Sequence, residues 1–158
     1  MLVHMVPADL HEFMIACLGA ASSFIGLLFV GLSVVLQKPG DQKIANTDRL
    51  LAESSYAGLI NIFFVALVGT LPNGSIGTVS LVMAILGLLS CWRLRGLSHI
   101  GPLFISGLIY LLEVGFGLNL VLHSKQFVSV GIFQTIIIAL FAISLIRAWG
   151  LTGIHSSK

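Results

Sequence analysis

Five stretches of the chain are almost without interruption apolar, and short polar segments separate them: residues 14–36, 54–71, 75–92, 103–122 and 127–146. A helix that crosses a bilayer takes about 20 mostly apolar residues, with a range of roughly 17 to 25. Each stretch falls in that range. None holds an Asp, Glu, Lys, Arg or His except residues 103–122, which hold Glu113. Backbone polar groups in hydrocarbon must be satisfied within their own segment, and the alternation of a membrane β-barrel is absent. The pattern therefore predicts an all-α fold, a polytopic membrane helix bundle of five transmembrane helices in one domain covering residues 1–158.

The polar segments predict how the helices connect. Pro72-Asn73-Gly74 is a tight turn whose Asn-Gly pair tolerates positive φ, which makes the second and third helices an antiparallel hairpin. His123-Ser124-Lys125-Gln126 does the same for the fourth and fifth. The longer linker, residues 37–53, carries Lys38, Pro39-Gly40, Asp41, Lys43, Asp48 and Arg49. It reads as a polar cytoplasmic segment, partly helical after an N-cap region at Asn46-Thr47-Asp48.

Charge then orients the bundle. If all five stretches span, Lys38, Lys43, Arg49, Arg93, Arg95, Arg147 and Lys158 share one side, and only Lys125 of the eight Lys and Arg lies on the other. The positive-inside rule places the N-terminus outside and the C-terminus in the cytoplasm. Trp92 and Trp149 fall at the cytoplasmic ends of their helices, as interfacial anchors do. No Lys or Arg precedes the first stretch, and it is longer than the apolar core of a signal peptide, so it is expected to stay as a spanning helix.

Composition agrees with a lipid solvent. The chain is 57% hydrophobic and 9% charged, against about 25% charged in a soluble domain. A net charge of +2 gives no footing for nucleic acid. Cys17 and Cys91 lie inside apolar stretches and read as small buried hydrophobes rather than a disulfide framework.

Residues 11–36, HEFMIACLGAASSFIGLLFVGLSVVL, and residues 52–72, AESSYAGLINIFFVALVGTLP, carry a resemblance. A Gly/Ala-rich first helix ending in an "IGLLFV" run and a later "NxFFVxLV" before a Pro-containing turn resemble a group of small, uncharacterised bacterial multi-pass membrane proteins. The resemblance covers the first half of the chain. It implies a bacterial cytoplasmic membrane and no particular activity.

Helices in lipid associate through small residues that permit close approach and through polar groups that bond across. Ser80, Ala84, Gly87 and Cys91 share one face of the third helix; Ser54, Gly58, Asn61 and Val65 align on the second; Gly19, Gly26 and Ser33 recur every seven residues on the first, with Ala16, Ala20 and Ser23 nearby. These stripes predict packing surfaces, within the subunit or between subunits, with the lining of a pore as the alternative. On the fourth helix Ser106, Tyr110, Glu113 and Gly117 share a face. An ionised carboxylate in mid-membrane costs at least about 2.5 kcal/mol, so Glu113 must face protein or water. It reads either as a proton acceptor or cation ligand on a transport path, oriented by Tyr110 with Asn61 or Gln134 beside it, or as a neutral buried acid bonding between helices. Gly115-Phe116-Gly117 either loosens the helix next to it or admits a close neighbour. Asn61, Asn119 and Gln134 can each bond across helices.

His4, His11 and His123 gather at the outer surface near Asp9 and Glu12 and form a weak candidate metal site; His99 and His155 lie on the other side. No histidine lies mid-span, which argues against a bis-histidine haem, and no phosphate loop, nucleophile elbow or carboxylate pair appears. The expectation is a protein that is not an enzyme and takes no cofactor, with the lipid bilayer and either its own copies or other membrane subunits as partners. Two functions compete: a small oligomeric channel or permease with Glu113 on or near its path, and a non-catalytic accessory or scaffold subunit of a larger membrane complex. A lipid- or quinone-handling role ranks behind both.

Overall fold

The structure is a computed structural model that describes residues 8–36, 42–72, 74–93, 100–122 and 130–153. Five helices fill these ranges: α1 (Ala8–Leu36), α2 (Gln42–Thr70), α3 (Ile76–Arg93), α4 (Ile100–Leu122) and α5 (Val130–Gly153). All five are long and apolar enough to cross a membrane.

The largest differences from the sequence expectation lie at three boundaries. α2 begins at Gln42, so the expected N-cap at Asn46-Thr47-Asp48 lies inside a helix. Asn, Thr and Asp each cost only a fraction of a kcal/mol in a helix interior, and a helix already nucleated by its packed part extends cheaply. α1 starts at Ala8, because Leu10 is fully buried and Asp9 in the first turn complements the helix dipole. α5 continues past Ile146 to Gly153 and carries Arg147 and Trp149 on the helix.

The α2–α3 turn keeps its predicted position. The Gly74 N–H donates to the Leu71 carbonyl at 3.1 Å, with Pro72 at the position its fixed φ suits. Gly74 does not adopt positive φ. Glycine is required there for space, since a Cβ would run into the Val68 carbonyl oxygen. Ser75 precedes α3, its carbonyl accepting the Val79 N–H at 3.2 Å and its hydroxyl paired with that of Thr78 at 2.7 Å. The expected turn at residues 123–126 lies outside the described residues.

Packing arranges α2, α3, α4 and α5 as a ring in chain order, closed by α5 against α2, while α1 lies outside the ring on α2. More than half of the apolar part of α2 is buried, against 17% of that of α1. α1 presents Leu10, Met14, Cys17 and Ala21 to the bundle, one side chain per turn. Met14 packs where Gly69 of α2 lacks a side chain, and Phe24 meets Phe141 of α5 edge to face, centroids 5.7 Å apart.

The outer surface is apolar. Leu27, Phe29, Phe104, Leu122 and Ile146 are each at least two-thirds exposed. The exposed hydroxyls of Ser22, Ser23 and Thr135 donate to the carbonyls of Leu18, Gly19 and Gly131 one turn back, so these three donors are satisfied by their own helices.

Candidate functional site: a carboxyl at the centre of the ring

The three polar stripes read from the sequence on α2, α3 and α4 all face inward. Ser54, Gly58, Asn61 and Val65 are buried, as are Ser80, Ala84, Gly87 and Cys91, and as are Ser106, Tyr110, Glu113 and Gly117. Their meeting point is Glu113, which has no exposed surface. Asn61 Nδ2 donates to Glu113 Oε2 at 2.8 Å, and Ser80 Oγ donates to Oε1 at 3.2 Å. One carboxyl thus joins α4 to α3 beside it and to α2 across the ring. The second polar atom of Asn61, Oδ1, is buried without a hydrogen-bond partner among the described residues.

Glycine permits the approach of the helices around this triad. The Tyr110 ring occupies the place a Cβ of Gly87 would need, and its hydroxyl lies beside Gly58, where the Ser144 hydroxyl of α5 also converges. One level beyond Glu113, Gly77 and Gly117 bring the backbones of α3 and α4 together; a Cβ on Gly117 would meet the Gly77 carbonyl oxygen at 3.1 Å. At the far end of the same face, Arg147 Nη2 of α5 donates to Ser106 Oγ of α4. Tyr110 lies within electrostatic reach of Glu113, Cys91 and Arg147 together.

Of the residues expected on a transport path, Glu113, Asn61, Tyr110 and Ser106 come together as buried groups, but Gln134 does not join them. It is half-buried on α5, and the carboxyl's bonds go to Asn61 and Ser80 instead. Asn119 is exposed rather than bonded inward, and lines an open groove between α4 and α5 with Gly115, Phe116 and Thr135. Of the residues expected to pack helices together, Gly58, Ser80, Ala84, Gly87 and Gly117 do so within the chain. Gly19 and Gly26 do not: nothing lies within 4 Å of where their Cβ would be, because α1 turns its Leu10–Ala21 stripe to the bundle and this one away. The Gly115-Phe116-Gly117 segment is continuous helix, with Gly117 packed on α3, Gly115 open, and Phe116 stacked on Phe133 at 4.7 Å.

Among the described residues no group of three or more His, Cys, Asp or Glu is placed to hold a metal ion. His11 is half-buried on α1, and His4 and His123 lie outside the described residues. Sequence reasoning missed Ser144 and Arg147 as neighbours of this face and read Ser80 only as a packing residue. A small residue in a stripe signals close approach, but nothing local says that its hydroxyl will meet an acid on another helix. Nor does any spacing pair Arg147 with Ser106. Comparison with known proteins finds no match: no family model, no curated protein and no solved structure is similar to this chain.

Proposed function

We propose that the chain is a small membrane permease or channel whose path runs through the α2–α5 ring at Glu113. The observation that carries this reading is the placement of one acid, wholly buried, between the diagonally opposed helices α2 and α4 and bonded to α3 between them. Intramembrane acids are costly and mark ion paths by default. Here the acid lies inside one chain, so each copy has its own path. The outward Leu, Ile and Phe side chains and the self-satisfied surface hydroxyls support insertion with all five helices spanning. The bias of Lys and Arg supports a cytoplasmic C-terminus, and the resemblance of the first half supports a bacterial cytoplasmic membrane. The face of α1 bearing Gly19 and Gly26 is where copies would assemble.

The test is flux through purified protein in liposomes, wild type against Glu113→Gln, across pH. Wild-type flux with a pH dependence that the substitution removes supports the proposal. Absence of flux from a folded, correctly inserted wild type overturns it.

A second reading, an accessory subunit of a larger membrane complex, is favoured by the open small-residue face of α1, which nothing among the described residues covers. On that reading Glu113→Gln impairs assembly before any flux.

A further inference from the structure

The buried polar side chains are not spread evenly along the ring. From Glu113 toward the end that carries Arg147, they continue: Tyr110 and Ser106 on α4, Ser144 on α5, and Ser54 and Ser55 on α2, with the half-buried Arg147 beyond Ser144. Tyr56, in the same half, has a buried hydroxyl with no partner among the described residues. Toward the opposite end the buried side chains among the described residues are apolar. They are Val65 and Ala66 on α2, Ile76 on α3, and Phe133, Ile136 and Ile137 on α5. In that half the close contact of Gly77 with Gly117 packs α3 on α4, and the Phe116–Phe133 stack joins α4 to α5 beside the groove that Asn119 and Thr135 line. Gln134, half-buried, lies only one turn into α5 on that side.

We propose that Glu113 takes up and releases a proton through one end of the bundle only, the end marked by Arg147. This rests on the reading of Glu113 as an ion-binding group on the path. It adds that Glu113 binds a proton, which sets the pH dependence of the path without itself crossing the bundle, and it adds the side from which that proton comes. Two features select a proton over a metal cation. The carboxyl already accepts bonds from Asn61 and Ser80, so a metal would meet an N–H and an O–H where it needs free oxygens. The hydroxyls of Ser106, Tyr110 and Ser144 can each both donate and accept, the property a proton relay needs.

The charged and titratable groups on the elements around this path are Tyr56 from α2, Cys91 from α3, Tyr110 from α4 and Arg147 from α5, and α2 also contributes the neutral Asn61. In the proposed step a proton leaves water at the Arg147 end and forms an O–H bond on the Glu113 carboxylate. On release the same bond breaks and the proton returns by the same end.

The test uses the full chain in proteoliposomes sorted to one orientation and the infrared carbonyl band of a protonated carboxyl, assigned to Glu113 by its loss in Glu113→Gln. The pH of the outer bath is changed while the lumen is buffered. With the Arg147 end outward the band should follow bath pH, and with the opposite end outward it should stay unmoved. Tyr110→Phe, which keeps the ring on Gly87, should slow the response at the Arg147 end.

A band that follows the bath equally from both ends, only from the opposite end, or from neither would overturn the proposal. Because no transport is read, the two ideas fail separately. One-sided exchange without flux sinks the permease, and flux with two-sided exchange sinks the sidedness.

Discussion

Asn61 on α2 donates its side-chain N–H to the carboxyl of Glu113 on α4 over 2.8 Å, across a ring in which these two helices otherwise hardly meet. Contacts between ring neighbours are spread over many apolar side chains, whereas this diagonal depends on a single pair. Its removal should therefore be felt locally. Asn61→Ala is expected to destabilise the bundle by about 1–3 kcal/mol, the cost of leaving a buried acceptor unmet. Ser80→Ala, which removes the longer bond, should cost nearer 0.6 kcal/mol, roughly the average for hydrogen bonds between membrane helices. Reversible unfolding in mixed micelles measures both, and the reverse order would show that Ser80 is the main partner.

Glu113→Gln keeps the size of the side chain; its amide oxygen can accept from Asn61 while its N–H donates to the Ser80 hydroxyl, which also accepts, so the bundle should fold with a loss below about 1.5 kcal/mol. Any flux that depends on a titrating carboxyl should then lose its pH dependence. Unfolding and liposome flux measured on one preparation separate the two effects.

Gly87→Ala places a methyl group in the Tyr110 ring. Overpacking of this kind costs about 1–3 kcal/mol, and the double variant Gly87→Ala/Tyr110→Leu should recover part of that loss. A double-mutant cycle reads the coupling; strict additivity would mean that the ring does not rest on Gly87.

Gly19→Ala and Gly26→Ala meet open space. In a single chain each should leave stability unchanged or raise it by up to about 1 kcal/mol through helix propensity. If copies assemble through this face of α1, the same variants should weaken the oligomer while the monomer holds, which crosslinking in bilayers resolves.

Trp92 and Trp149 are 69% and 79% exposed and lie at the ends of α3 and α5, two helices that run the same way in the ring. In lipid both should sit at one interface. Lipids brominated near the headgroup should quench their fluorescence more strongly than lipids brominated near the chain ends, and the opposite order would place them at depth.

The sequence by itself determined the five helices, the inward faces of α2, α3 and α4, and the burial of Glu113. Each follows from a local rule: a run of apolar residues long enough to span, a helical period that aligns Ser106, Tyr110, Glu113 and Gly117, and the cost of a charge in hydrocarbon. The spacing of Ser54, Gly58, Asn61 and Val65 placed Asn61 correctly for the same reason. Only the tertiary structure decided which faces meet. α1 carries two small-residue or small-volume stripes, and the one with Cys17 and Ala21 packs inward while that with Gly19 and Gly26 does not. Helical period treats them alike, because it fixes which residues share a face and not which neighbour that face finds. The partners of Glu113, the placement of Ser144 beside Gly58, and the reach of Arg147 to Ser106 arise between helices far apart in the chain. The closing of α5 on α2 brings them together, and no local spacing encodes it.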